Sequence, residues 1–163
     1  VYWAAEKGIV RGYSNGYFGP EDSCSREQFV VMLWRLAGRP AASRNVEFSD
    51  VGSERSTYRA LQWAVENDII RGFDDGSFRP QDTVTRVQTV IMLWRMAGRP
   101  EAGSQAYFDD ITPSSTGYAA ICWGSSDGII KGFADGTFRP LNECLRQEMV
   151  IFLYRFQRYR DNI

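Results

Sequence analysis

Two kinds of apolar pattern alternate along the chain. In YRALQWAVEN (58–67), Ala60, Leu61, Ala64 and Val65 fall on one face at helical spacing. That predicts an amphipathic helix ending at Asp68. Gly8 and Gly128 stand at the equivalent positions, so the helix stop is predicted to be left-handed. A short apolar step follows, Ile69-Ile70, and then the polar pair Asp75-Gly76, matched by Asn15-Gly16 and Asp135-Gly136. Such pairs suit turns that need positive φ. They predict a small hairpin-like arm, with Phe78 tucked back on the helices and Pro80 ending the arm. The second pattern, VIMLWRMAG (90–98), is apolar almost all round apart from Arg95. It predicts a helix in the middle of the molecule, with Trp34 and Trp94 in the core. Capping boxes at Ser25-x-x-Gln28 and Thr85-x-x-Gln88 open two of these helices. The third copy has Leu145 at the cap and is predicted to lose that bond. Gly38-Arg39-Pro40 and Gly98-Arg99-Pro100 stop the helix.

The whole pattern repeats at an offset of 60 residues, from Gly12 to Gly72 to Gly132, without insertion or deletion. Pro20, Pro80 and Pro140 align, as do Arg26, Arg86 and Arg146. Residues 1–45, 46–105 and 106–163 are therefore read as three repeats of one domain. The expected fold is mainly α, with three helix–arm–helix units forming a pseudo-threefold trimer around a central three-helix bundle. The first copy begins at the equivalent of Leu61 and lacks the Phe-x-Asp-Val segment found at 48–51 and 108–111. It is read as cut within its repeat, with other functions expected in the rest of the polypeptide. An open stack normally needs capping repeats, so a closed ring is the expected arrangement.

Composition narrows the chemistry. With 163 residues and 44% hydrophobic content, the chain can bury a real core. A net charge of −1 argues against a nucleic-acid binder driven by bulk electrostatics. No apolar run approaches the roughly 20 residues needed to span a bilayer, so no membrane insertion is expected. There is no histidine, which removes His triads and His metal sites. Asp74 and Asp75 offer too few oxygen ligands for calcium, and no cofactor is expected. Cys24 and Cys144 are repeat equivalents of Val84, which predicts small buried side chains; a Cys122–Cys144 disulfide is the alternative. Arginine dominates the basic residues, with Lys7 and Lys131 the only lysines.

Phe-x-Asp-Val, a Trp-bearing helix, Gly-Phe-x-Asp-Gly-Ser-Phe-Arg-Pro and then Thr-Arg with an apolar helix resemble the S-layer homology (SLH) domain. The resemblance covers the whole chain. It implies a pseudo-trimer around a central bundle, placed outside the cell at the wall. It also implies non-covalent anchoring of a bacterial surface protein to a secondary cell wall polysaccharide, often one carrying pyruvylated sugars. The family signature Thr-Arg-Ala-Glu corresponds here to Ser25-Arg26-Glu27-Gln28, Thr85-Arg86-Val87-Gln88 and Leu145-Arg146-Gln147-Glu148. Its arginine is important for binding in the family and is present in all three copies.

These observations nominate a binding site. An arginine at a helix N-terminus offers a charge-assisted fork beside free backbone N–H groups, suited to a sugar carboxylate. Arg26, Arg86 and Arg146 are the expected anion ligands, with Ser25, Thr85, Gln28, Gln88 and Glu148 beside them. Asp50 and Asp110 are further candidates; in the structural alternative they pair with the arginines as struts. Trp63 and Trp123 are candidate sugar-stacking faces, with core packing as their other use. The grooves of Arg26 and Arg86 are expected to outperform that of Arg146, because Leu145 replaces the hydroxyl. No acid stands out from the repeat pattern, which argues against an enzyme. The alternative function is a structural or protein–protein interaction module using the same grooves.

Overall fold

The two apolar patterns become two kinds of helix in the computed structural model, which describes residues 1–163. Short outer helices α1 (Tyr2–Glu6), α3 (Tyr58–Glu66) and α5 (Tyr118–Ser126) alternate with central helices α2 (Arg26–Leu36), α4 (Arg86–Met96) and α6 (Arg146–Asp161). The outer helices end as their sequences require. Gly8, Asp68 and Gly128 take φ of 65°, 52° and 67°. The left-handed turn lets the next amide bond back to the helix, as in Ile69 N to Ala64 O (2.8 Å). Each arm is a tight turn closed by a pair such as Phe73 N to Ser77 O (2.8 Å) and Gly76 N to Phe73 O (2.9 Å).

The three units close into a ring, and the arms close it. The first two amides of each central helix would otherwise lack partners. Instead they donate to carbonyls of the next unit's arm. Arg26 N and Glu27 N reach Asp82 O and Pro80 O (2.9 and 3.1 Å), and Arg86 N and Val87 N reach Asn142 O and Pro140 O (2.9 and 3.0 Å). Arg146 N and Gln147 N return to the first unit, at Asp22 O and Pro20 O (2.9 and 3.0 Å). Three antiparallel bridges, Ser25 with Thr83, Thr85 with Glu143 and Ser23 with Leu145, repeat this order around the axis. Contact between α2 and α6 joins the first and third copies directly.

One apolar core runs through all three units, with Phe29, Leu33, Val90, Leu93, Met149 and Leu153 contributed by the central helices. Cys24, Val84 and Cys144 are buried together with it. All three cysteines are free, so the alternative Cys122–Cys144 disulfide is not formed.

Trp34 and Trp94 correct the core expectation. Both are only partly buried, and each indole donates to the carbonyl of the proline that follows its helix, Pro40 or Pro100 (2.9 Å in both). The pattern looked apolar all round because a Trp at this position pins the outgoing linker against the helix side. One cap also differs in detail. Leu145 offers no oxygen to the first turn, yet its own N–H still donates to Glu148 (3.0 Å), so half of the box survives.

Candidate binding grooves at the repeat junctions

Each signature arginine crosses the junction between two units. It occupies the first turn of its central helix and reaches the arm of the next unit. Arg26 Nε donates to Phe78 O (2.9 Å), Arg86 Nε to Phe138 O (2.8 Å) and Arg146 Nε to Phe18 O (2.9 Å). The residues are 4%, 2% and 4% exposed. Their guanidiniums lie over aromatic rings of the arm, Phe73 and Phe78 for Arg26 (4.8 and 4.6 Å), Phe133 and Phe138 for Arg86 (4.7 Å each). Tyr13 and Phe18 do the same for Arg146 (4.9 and 4.7 Å). Stacking on these quadrupoles partly offsets the loss of hydration. Burial nonetheless lowers the Arg26 pKa from its ordinary value.

Three details alter the picture drawn from the sequence. First, the helix N-termini offer few free backbone donors. The first two N–H groups of each are held by the neighbouring arm, and the third by the cap hydroxyl in α2 and α4, as for Gln28 N to Ser25 Oγ (3.3 Å); α6 has no such hydroxyl. Second, Asp50 and Asp110 do not pair with the arginines. Asp50 accepts from Phe78 N and Arg79 N (2.8 and 2.7 Å), and Asp110 accepts from Phe138 N and Arg139 N (2.7 Å each). These carboxylates fix the arm where Arg79 and Arg139 hold φ of 55° and 56°. The Phe78 and Phe138 carbonyls that receive the arginines are thereby oriented. Third, Trp63 and Trp123 are 6% and 0% exposed, so they are core and present no ring face to a sugar.

The three guanidiniums are not spent alike. Arg86 is used on every side, with Nη1 on the Glu148 carboxylate and Nη2 on Lys131 O (3.2 Å). Arg146 gives Nη2 to Arg11 O (3.0 Å). The two Nη groups of Arg26 have no protein partner and remain in reach of solvent. The pairing of Arg86 with a carboxylate comes from one position. Glu148 occupies the place of Gln88 and Gln28, the only acid of the three. Around Arg86, a cavity of about 150 Å³ is lined by Lys131, Phe133, Glu148 and Arg155. Ser25, Thr85, Gln28 and Gln88 lie at the same junctions, their oxygens engaged in the caps: Gln28 Oε1 accepts from Ser25 N and Gln88 Oε1 from Thr85 N (3.1 Å each).

Sequence reasoning missed two contributors. One is the aromatic beneath each guanidinium, Tyr13, Phe73 or Phe133. Its recurrence at the 60-residue offset was the available signal. The other is Arg79 and Arg139, which cover the outer face of Phe73 and Phe133 at 4.0 and 3.9 Å. Gly19 stands at that place in the first copy.

The model of the S-layer homology domain matches residues 1–30, 47–89 and 107–150. The chain belongs to the S-layer homology family. It carries three tandem SLH repeats and is a cell-surface, wall-anchoring module. Among its relatives are Cell surface glycoprotein 1 of Acetivibrio thermocellus, 29% identical over 91% of this chain and 7% of that protein, and a Bacillus Endoglucanase, 30% identical over 88% and 16%. The Cellulosome-anchoring protein of Acetivibrio thermocellus is 27% identical over 90% of this chain and 35% of its own length. The SLH region thus spans a small part of each relative. No helix is long and apolar enough to cross a membrane.

Proposed function

We propose that the chain is a non-catalytic anchor that binds an anionic secondary cell wall polysaccharide, of the kind that carries pyruvylated sugars, in the grooves between its repeats. The observation that carries this reading is Arg26. It is a nearly buried guanidinium, positioned through Nε and two aromatic rings, with both Nη groups left for a ligand. A fork held in this way matches a carboxylate without further ordering of the side chain. Gln28 and Gln88 supply amide donors for hydroxyls nearby. In the Arg26 groove the ligand is held by side chains alone, because the first three N–H groups of α2 are already used.

This reading ranks the grooves differently from the sequence. Arg26 is the primary site, Arg146 retains one free Nη, and Arg86 is self-occupied by Glu148. Arg26→Gln should weaken binding of purified, protein-free wall polymer by about 1.5–3 kcal/mol, the worth of a hydrogen bond to a charged group. Arg86→Gln should weaken it by less than about half of that. Glu148→Gln should add a second site by releasing Arg86. Isothermal titration of the three variants checks all of this. Equal losses for Arg26→Gln and Arg86→Gln, with no gain from Glu148→Gln, would reject the ranking.

A further inference from the structure

The central helices differ at the end away from the grooves. α6 has 16 residues where α2 and α4 have 11. The cause is a substitution in the stop signal. Gly-Arg-Pro at 38–40 and 98–100 is replaced by Arg158-Tyr159-Arg160, which has neither the left-handed glycine nor the proline that ends a helix. The extra turns reach three recesses that repeat around the axis. The first, about 450 Å³, combines Lys7 and Arg35 with Gln157 and Asp161 of α6. The third, about 460 Å³, combines Asp127 with Arg155 and Arg158. The second, about 390 Å³, holds Asn67, Arg95 and Arg99 and receives Arg160 from α6. It is the one of the three with no carboxylate in its lining.

The charges around this second recess are poorly balanced. Asp68, next to the lining residues Asn67 and Ile69, already serves two arginines, Arg71 (3.1 Å) and Arg99. Arg160 takes part in no ion pair; its guanidinium lies 5.9 Å from the Phe156 ring. Arg95 spends Nη1 on Ile69 O (3.3 Å), and its other nitrogens have no protein partner. Burial lowers the Arg95 pKa, and Arg71 and Arg99 push it in the same direction. Three arginines, Arg95 and Arg99 from the C-terminal end of α4 and Arg160 from α6, thus line one open recess. In a chain of net charge −1 this is a local excess of positive charge. Arg95 stands between this recess and the Arg26 groove, as its equivalent Arg155 does between the third recess and the Arg86 groove, so Arg99 and Arg160 are the arginines that belong to the recess alone.

We infer that the recess formed by Arg95, Arg99 and Arg160 is a second anion site, specific for a phosphate-class oxyanion. A tetrahedral group with several charged oxygens can accept from Arg95, from Arg160 and from the Arg99 nitrogens not held by Asp68, which suits it better than a planar carboxylate. The two sources of such a group are a phosphodiester along a wall polymer and a phosphate monoester or free phosphate.

The test follows the arginine Nε–Hε resonances while inorganic phosphate is added at constant ionic strength, with chloride as the control. Arg95, Arg99 and Arg160 should shift saturably with phosphate and not with chloride. Arg160→Gln removes an exposed side chain, so the fold is expected to be kept. It should weaken phosphate by about tenfold or more, the loss of one charge-assisted hydrogen bond. Arg26→Gln should leave phosphate affinity unchanged while reducing wall-polymer binding, which separates this site from the groove. Dimethyl phosphate binding as well as inorganic phosphate identifies a phosphodiester source; inorganic phosphate binding alone identifies a monoester or free phosphate. Linear, unsaturated shifts, or equal affinity in Arg160→Gln, would overturn the assignment. So would loss of phosphate binding in Arg26→Gln, which would place the anion in the groove.

Discussion

In the proposed reading, Arg26 serves structure and recognition together. Its Nε is committed to the neighbouring arm, and its Nη groups are not. The recurrence of the arginine was readable in the sequence. How it is spent was not, because that depends on carbonyls 52 residues away and on whether residue 88 or 148 is an amide or an acid. Asp50 illustrates the same limit. Its repeat position was visible, but its partners are backbone amides of an arm that only the fold brings near. The cysteines were more legible, since their exchange with valine already indicated an apolar site. Burial pushes the Cys24 and Cys144 thiols up to about 12. A thiol whose pKa is raised by folding keeps its proton while the unfolded chain, near roughly 8.5, loses it. Stability should therefore fall as pH rises above roughly 8.5 toward the folded-state value. Native protein at pH 8 should label slowly with a thiol reagent and completely in denaturant; rapid labelling of both cysteines in the native state would contradict their burial.

At the scale of elements, caps and stops carried most of the sequence information. Left-handed outer-helix ends, the two capping boxes and the Asp-Gly turns rest on local chemistry, and the structure contains them. Thr85→Ala removes the oxygen that accepts from Gln88 N and should cost about 1 kcal/mol in denaturant unfolding. A cost above roughly 2 kcal/mol would point to a role beyond the cap. Trp94 was misread because periodicity measures how apolar a position is, not what covers it. Its side chain is only partly buried, and its indole bonds to Pro100 O. Trp94→Phe keeps most of the packing and loses that bond, so a loss near 1 kcal/mol is expected. A loss of 3 kcal/mol or more, typical of a fully buried large-to-small change, would restore the core reading. Helix α6 runs past the point where α2 and α4 stop for a reason present in the sequence, the missing Gly-Arg-Pro, whose consequence depends on where the extra turns project.

At the scale of the molecule, the 60-residue period specified a ring and the ring specifies the grooves. Each junction uses the same three parts, a central helix start, the next unit's arm and an arginine bridging them. Equivalent sites follow from that symmetry, and single substitutions then make them unequal: Glu148 at Arg86, Gly19 in the first arm and Arg160 at the far recess. Symmetry was legible from repeat spacing; the inequality needed the partners in place. The most direct test of the account is retention on isolated cell-wall sacculi before and after acid removal of the secondary polymer, with Arg26→Gln run in parallel and its fold checked by circular dichroism. The account predicts retention of the native chain on intact sacculi, loss on stripped sacculi and reduced retention of folded Arg26→Gln. Undiminished retention on stripped sacculi, or by the folded variant on intact ones, would contradict it.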